Sequence, residues 1–350
     1  MRKNGLLVTI LITMLLLTGC AFSEQDGEKQ VVVLTTGFGN NELFRIEEES
    51  CTLPEFYVYL TNMQNQYEQV YGMQIWDAGL GDTTPKENVK DMALARIAQV
   101  KTMNLMARNY NISLTEEEQD KIHQLAEEYY ASLNDTEIHA IGISLSKVED
   151  LYTEYALADK VYHFLIKDIN PEVSDDEART ITVQQIMIRT ATFDEEGNRT
   201  ECSEEEKKRA LKKAREAHEK AVNGENFDSL IREYSDDEVS TYTFGKGFMD
   251  EIFETAAFNL GTDEISDVVE TDYGYHIIKC ISTFNREETD ANKVKIVEQK
   301  KKEVFGEKYN AFVDGLVRIM NEELWQQVDF LEEEDITTGD FFKRYEAMFP

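Results

Sequence analysis

Positive charge is scarce in this chain. Its 350 residues carry 36 Lys and Arg against 69 Asp and Glu, a net charge of −33. So acidic a surface repels polyanions, which argues against nucleic acid or a bare anionic membrane as partners. It leaves two readings, a soluble self-repelling surface or an attraction for basic clients and cations. Cysteines number only four, Cys20, Cys51, Cys202 and Cys280, without C-x-x-C spacing, so no zinc site or disulfide framework is indicated. The five histidines, His123, His139, His163, His218 and His276, show no ligand spacing, and glycine-rich phosphate loops are missing. No metal, nucleotide or organic cofactor is expected. Long apolar runs are also missing apart from Leu6–Leu17, which is too short for a stable membrane span.

That run follows Arg2 and Lys3 and ends in Leu17-Thr18-Gly19-Cys20. The phrase resembles a bacterial lipoprotein cleavage box, which implies that residues 1–20 are a signal peptide and that Cys20 is lipidated as the first mature residue. The other reading is a plain secretory signal with an incidental cysteine. With Cys20 set aside, Cys51, Cys202 and Cys280 leave room for one bridge or for three isolated thiols. Residues 21–53 read as a tether, polar and acidic over Ala21–Gln30, with short extended runs at Val31–Thr35 and Leu43–Ile46.

From Pro54 the pattern is helical. Phe56, Tyr59, Leu60, Met63, Tyr67, Val70 and Tyr71 recur at three- and four-residue steps until Gly72. Thr84-Pro85 opens a second helix with Val89, Met92, Ala93, Ile97, Val100, Met103 and Met106 on one face. Ser113–Glu118 supplies caps and first-turn acids for a third helix over 116–133, and a fourth covers 147–166. Tyrosines, methionines and Trp76 on these stripes form either the core of a helical domain or a client-binding groove. The acidic turn Asn170–Glu177 is a hinge.

Beyond the hinge, Thr182–Arg189 alternates like a half-buried strand. A loop at 190–200 with Gly197-Asn198 follows, then a helix from Ser203 to Val222 and another over Phe227–Tyr234. The stretch Phe244–Lys279 then reads as turn, amphipathic helix, strand, turn and strand, broken at Gly261 and at Thr271–Gly274. Residues from about 290 to 330 carry a Lys- and Glu-rich helical stripe that needs a surface to pack on. Phe341–Phe349 is a small docked helix or a frayed end.

Residue order within Phe244–Lys279 is more specific. G-K-G-F-M-x-x-x-F-E-x-A-A-F-x-L from Gly245, then E-I-S-x-V-V-x-T-x-Y-G-Y-H-I-I-K from Glu264, closely resembles the second half of a parvulin-type (PPIC, rotamase) peptidyl-prolyl isomerase domain. The helical part, including Glu55–Trp76, resembles the amino-terminal domain of SurA-like and PrsA-like foldases. Together these resemblances imply an α+β fold. A parvulin domain, a small antiparallel sheet with surrounding helices at 178–286, is joined to an all-α SurA-like domain at 54–177. A C-terminal helix in 287–350 packs back on that helical domain and completes it.

The resemblance also implies roles. Met249 and Phe253, one helical turn apart, match the floor of the proline pocket, with Phe244 beside them; the alternative is that they are only core. Asp237 matches the Cys-or-Asp position beside the reacting amide, or is a helix-end aspartate. His276 matches the second of two strand histidines. Gln185 stands where the first belongs. It can donate and accept hydrogen bonds but cannot ionise. The G-G-D-L-G phrase expected after Asp237 is missing, so the loop 238–243 is short and Asp237's reach to the pocket is open. No basic cluster supports selection for phosphorylated Ser/Thr-Pro.

The expectation is therefore a foldase, lipid-anchored outside the cytoplasmic membrane, that isomerises X-Pro bonds in unfolded exported polypeptides. The alternative is a parvulin-fold holdase chaperone that captures such chains without turnover. A structural envelope lipoprotein is a third possibility.

Overall fold

The computed structural model describes residues 37–78, 83–193 and 199–350. The expected lipidation site Cys20, the run Val31–Thr35 and the Gly197-Asn198 turn lie outside those residues. Among the described residues no helix is long and apolar enough to cross a membrane. The described residues divide into two compact units, one of residues up to 168 together with 302–350, the other of residues within 169–301.

The first unit starts with strands β1 (Glu42–Ile46) and β2 (Glu49–Thr52) and continues through helices α1 (Leu53–Tyr71), α2 (Pro85–Asn109), α3 (Glu116–Ser132), α4 (Asp135–Ile141) and α5 (Leu145–Ile166). Local chemistry sets these boundaries. Capping boxes at Thr52/Glu55, Thr84/Glu87, Thr115/Glu118 and Asn134/Glu137 satisfy the first free amides of α1 to α4. Gly142 ends α4 at φ 70°, a left-handed conformation that admits glycine most easily. Helix α4 is not foreshadowed in the sequence, because its seven residues carry little periodicity. Phe56, Tyr59, Ile97, Tyr129 and Tyr152 fill the core. Buried Lys101 lies 3.3 Å from Glu55 and 2.7 Å from Glu154.

The second unit contains α6 (Asp175–Ala178), β3 (Thr180–Arg189), β4 (Ala191–Phe193), β5 (Arg199–Glu201), α7 (Glu204–Val222), α8 (Phe227–Tyr234), β6 (Thr241–Gly245), α9 (Glu251–Phe258), β7 (Val269–Glu270), β8 (Gly274–Ser282) and the start of α10 (Arg286–Val313). Its main sheet is antiparallel in the order β6-β3-β8-β7. One face, with Ile186, Ile188, Tyr275 and Ile277, packs against Ala214, Ala217, Leu230 and Tyr234 of α7 and α8. The other, with Ile181, Val183 and Ile278, packs against Phe253 and Ala257 of α9. The alternation along β3 and β8 thus serves two different cores.

The chain returns to the first unit within α10 and finishes through β9 (Arg318–Met320), α11 (Glu322–Trp325) and α12 (Phe341–Met348). The tail is therefore not one helix to residue 330. It turns at Gly315, and β9 pairs antiparallel with β1 in a three-stranded sheet, so this unit is helical but not all-α. The final segment is docked. Phe341 is fully buried, stacked on Tyr152 at 4.1 Å between centroids, and its backbone N–H donates to Asn62 Oδ1 at 2.9 Å. Asn65 Nδ2 donates to the carbonyls of Ile336 and Thr338 at 3.2 and 2.8 Å. Cys51, Cys202 and Cys280 are free thiols.

Candidate prolyl isomerase site

The site is built where β3, β8 and the segment before β6 meet. Register places Met187 opposite His276 and Gln185 opposite Ile278. Gln185 and His276 are thus diagonal neighbours on the α9 face, within reach of each other. The pairing depends on Gly274 at the start of β8, where a Cβ would lie 2.2 Å from the carbonyl oxygen of Ile188. Only glycine lets the strands close there.

The short segment after α8 runs along the free edge of β3. Asp236 N–H donates to the Met187 carbonyl at 2.7 Å, Gln185 N–H donates to Ser240 at 2.9 Å, and Met187 N–H donates to Ser235 Oγ at 3.2 Å. Thr241–Thr243, read from sequence as loop, continue this edge as β6. The missing residues therefore do not carry Asp237 away. They leave it lying over Gln185.

A continuous hydrogen-bonded row results. Tyr242 Oη and Gln185 Nε2 each lie 2.7 Å from Asp237 Oδ2. Gln185 Oε1 lies 2.8 Å from His276 Nδ1, and His276 Nε2 lies 2.8 Å from Thr271 Oγ1. Thr271 Oγ1 also accepts from Tyr273 N–H at 3.2 Å. Asp237 Oδ1 accepts from Val239 N–H at 3.3 Å, so the residue is both a turn acceptor and a member of the row. Burial lowers His276 to about 4, which keeps its imidazole neutral at physiological pH. Burial, with the Asp237 carboxylate beside it, pushes Tyr242 up to about 12, so its phenol stays protonated.

An apolar cluster packs on this row. Phe244 and Phe253 are 6.1 Å apart between centroids, with Met249, Phe258 and Leu260 packed around them. Phe253 meets the His276 ring edge-on at 5.3 Å and 74°. Met249 and Phe253 do not share a helical turn, as the sequence reading had it. Asp250 caps α9 through Ile252 and Phe253 N–H, so the helix begins after Met249. Met249 reaches the same cluster from the preceding loop. That loop is held by Glu254 Oε2, which accepts from the N–H groups of Gly247, Phe248 and Met249 at 2.7, 3.1 and 3.4 Å. On the rim Phe248 is 81 % exposed and Ile252 58 %.

Beside the row lies a cleft of about 380 Å³ bounded by Thr190, Asp250, Ile252 and Thr271. Its cations, Arg199 and Lys207, are 3.0 and 2.6 Å from Glu201. Both are neutralised within the protein, which fits poorly with a phosphate receptor.

The structure thus brings Asp237, Gln185 and His276 into one row and Phe244, Met249 and Phe253 into one apolar cluster. Sequence reasoning missed Tyr242 and Thr271. Tyr242 is two residues before inward-facing Phe244 on β6, so strand alternation could have found it. Thr271 lies in the Thr-Asp-Tyr-Gly turn, where hydroxyl side chains commonly bond the turn's own backbone.

Residues 186–282 match the family model described as Rotamase, PPIC-type PPIASE domain; the match starts one residue after Gln185. Over 329 residues the chain is 25% identical to the foldase protein PrsA of Caldanaerobacter subterraneus, covering 89% of this chain and 94% of that one. It is 30% identical to PrsA of Halalkalibacterium halodurans over 223 residues, 60% of this chain and 62% of the relative. The crystal structure of the peptidylprolyl isomerase PrsA from Bacillus cereus aligns over 86% of this chain and 96% of its own, with 20% identity and a TM-score of 0.37. Residues 186–282 thus carry a parvulin-type, or PPIC-type, peptidyl-prolyl isomerase domain, and the chain as a whole is similar to PrsA foldases.

Proposed function

We propose that this protein isomerises X-Pro bonds in exported polypeptides, with the proline ring seated on Phe244, Met249 and Phe253. Amide rotation must overcome roughly 18–20 kcal/mol, because the C–N bond has partial double-bond character. Uncatalysed exchange takes about 10–100 s and can limit folding. Acceleration needs no covalent chemistry. It needs a site that binds the twisted amide better than either planar form. The observation that carries the reading is the contact of Phe253 with the ring of His276, which joins an apolar cluster to a rigid polar base. Gln185, Asp237 and His276 form that base, with Gln185 and His276 buried and hydrogen-bonded to each other and Asp237 bonded to Gln185.

Lipidation at Cys20 would hold the protein at the outer face of the cytoplasmic membrane, where unfolded exported chains arrive. Support for this comes from the Leu-Thr-Gly-Cys phrase and from the kinship with PrsA foldases. The test is a protease-coupled isomerisation assay on short X-Pro peptides, with Phe253→Ala as control. Acceleration that disappears in the control supports catalysis. No acceleration across a range of residues before proline defeats it.

One observation favours a second reading, a holdase. Phe248 and Ile252 stand exposed at the rim, suited to holding apolar segments, while Gln185 cannot ionise. Suppression of client aggregation without isomerisation is the result that would select it.

A further inference from the structure

The hydrogen-bonded row has only one consistent arrangement of protons. A carboxylate only accepts, so both atoms at Asp237 Oδ2, Tyr242 Oη and Gln185 Nε2, must donate. With its amide nitrogen committed, Gln185 presents its carbonyl oxygen to His276 Nδ1, which must then carry the proton. A neutral imidazole has one proton, so Nε2 holds a lone pair and the Thr271 hydroxyl donates to it. Thr271 in turn accepts from Tyr273 N–H, and every buried member is satisfied. Turning the Gln185 amide over would set its carbonyl oxygen against the Asp237 carboxylate, acceptor against acceptor.

That order holds only while Asp237 stays in place. Gln185, Thr271 and His276 are buried, whereas Asp237 is half-buried on a segment with one water-facing side. Besides Gln185, its side chain is held by the Val239 N–H at 3.3 Å and by the shorter Tyr242 bond. We propose that Tyr242 is a positioning residue that pins Asp237 over Gln185, thereby fixing the direction of the row and the Nδ1–H tautomer of His276. A histidine in place of Gln185 could carry its proton on either nitrogen and leave the direction free. In this chain an amide with two unlike ends has taken that position, and a phenol from the shortened segment orients it. This proposal rests on the isomerase reading only for its effect on rate; the tautomer is a property of the folded protein alone.

The test is ¹⁵N NMR of the full chain labelled at histidine, in detergent, where five histidines give a sparse spectrum. His276 is assigned by the loss of its signals in His276→Asn. The expected wild-type result is a neutral ring protonated at Nδ1. In Tyr242→Phe the Gln185 amide is released, the Nε2–H form gains population, and kcat/KM for an X-Pro peptide falls about fivefold, the size of one lost hydrogen bond. An Nε2–H ring in the wild type overturns the proposal, as does an unchanged tautomer in a folded Tyr242→Phe. Should that variant not fold, Asp237→Ala removes the same anchor and must produce the same tautomer change. A wild-type protein without isomerase activity would defeat the isomerase reading while leaving the tautomer result to decide this one.

Discussion

Phe253 stands edge-on to His276, ring centroids 5.3 Å apart and planes at 74°. The apolar cluster and the polar row beneath it are therefore one mechanical unit. A change in either ring is felt by the other, because neither has room to move in a close-packed interior.

Replacing Phe253 with alanine should remove isomerase activity and weaken the second unit. Truncating a buried phenylalanine costs about 3–5 kcal/mol, spread over lost contacts and the cavity left behind. Phe253→Leu should keep most of the stability and lose part of the rate. Urea titration beside the isomerisation assay separates the effects; full activity in the alanine variant would remove Phe253 from the site.

Acid should destabilise this unit through His276. Its folded value is held at about 4 by burial, below the ordinary value near 6.5. The unfolded chain therefore binds more protons between these values, and stability rises with pH there. The contribution is full above pH ~6.5 and is lost as pH falls towards 4, about 3 kcal/mol in all by linkage. The urea midpoint followed from pH 7 to 4 should show this slope, and His276→Asn should flatten it. Because the ring stays neutral, the isomerase rate should not change through pH 6–8.

Glu254 is predicted to control the loop that carries Met249. Its Oε2 accepts from three consecutive backbone N–H groups, Gly247, Phe248 and Met249. Glu254→Ala leaves those amides to water at a cost of about 1–3 kcal/mol for a charge-assisted site. Hydrogen exchange at 247–249 should quicken, and KM for X-Pro peptides should rise more than kcat falls. Unaltered exchange there would show that the loop is held by packing instead.

Lys101 in the first unit gives an independent test. It is buried with Glu55 and Glu154, and Lys101→Met would leave Glu154 without its cation and Glu55 with only Lys147, 4.0 Å away. Breaking a buried ionic group by removing one partner typically costs about 3–5 kcal/mol. The loss should appear in the unfolding of the first unit and leave isomerase activity intact. A silent substitution would mean that water or proton uptake compensates the carboxylates.

Much of this was legible because the sequence marks its elements strongly. Ser203 and Glu206 announce α7, alternation announces β3, and the Gly-Tyr-His order announces β8. Other features depend on partners distant in sequence. Nothing local to Arg318–Met320 says that it pairs with β1, so the tail read as one helix where α10 in fact ends at Val313. Asp250 caps α9 one residue after Met249, too fine a boundary for periodicity to place. Tyr242 is not marked in the sequence because its importance comes from Asp237, and the short segment that brings them together leaves Asp237's reach open until the fold is known.

The pairing of β9 with β1 also bears on the order in which the protein is made. Strand β1 is among the first described parts to emerge during synthesis, yet its partner on one side arrives only with Arg318–Met320. Asn62 and Asn65 wait longer still, for carbonyl and amide groups at 336–341. All of residues 169–301 is made between these halves. The isomerase domain therefore has its complete sequence first, while the helical unit lacks part of its sheet and the partners of Asn62 and Asn65 until residues 318–341 have been made.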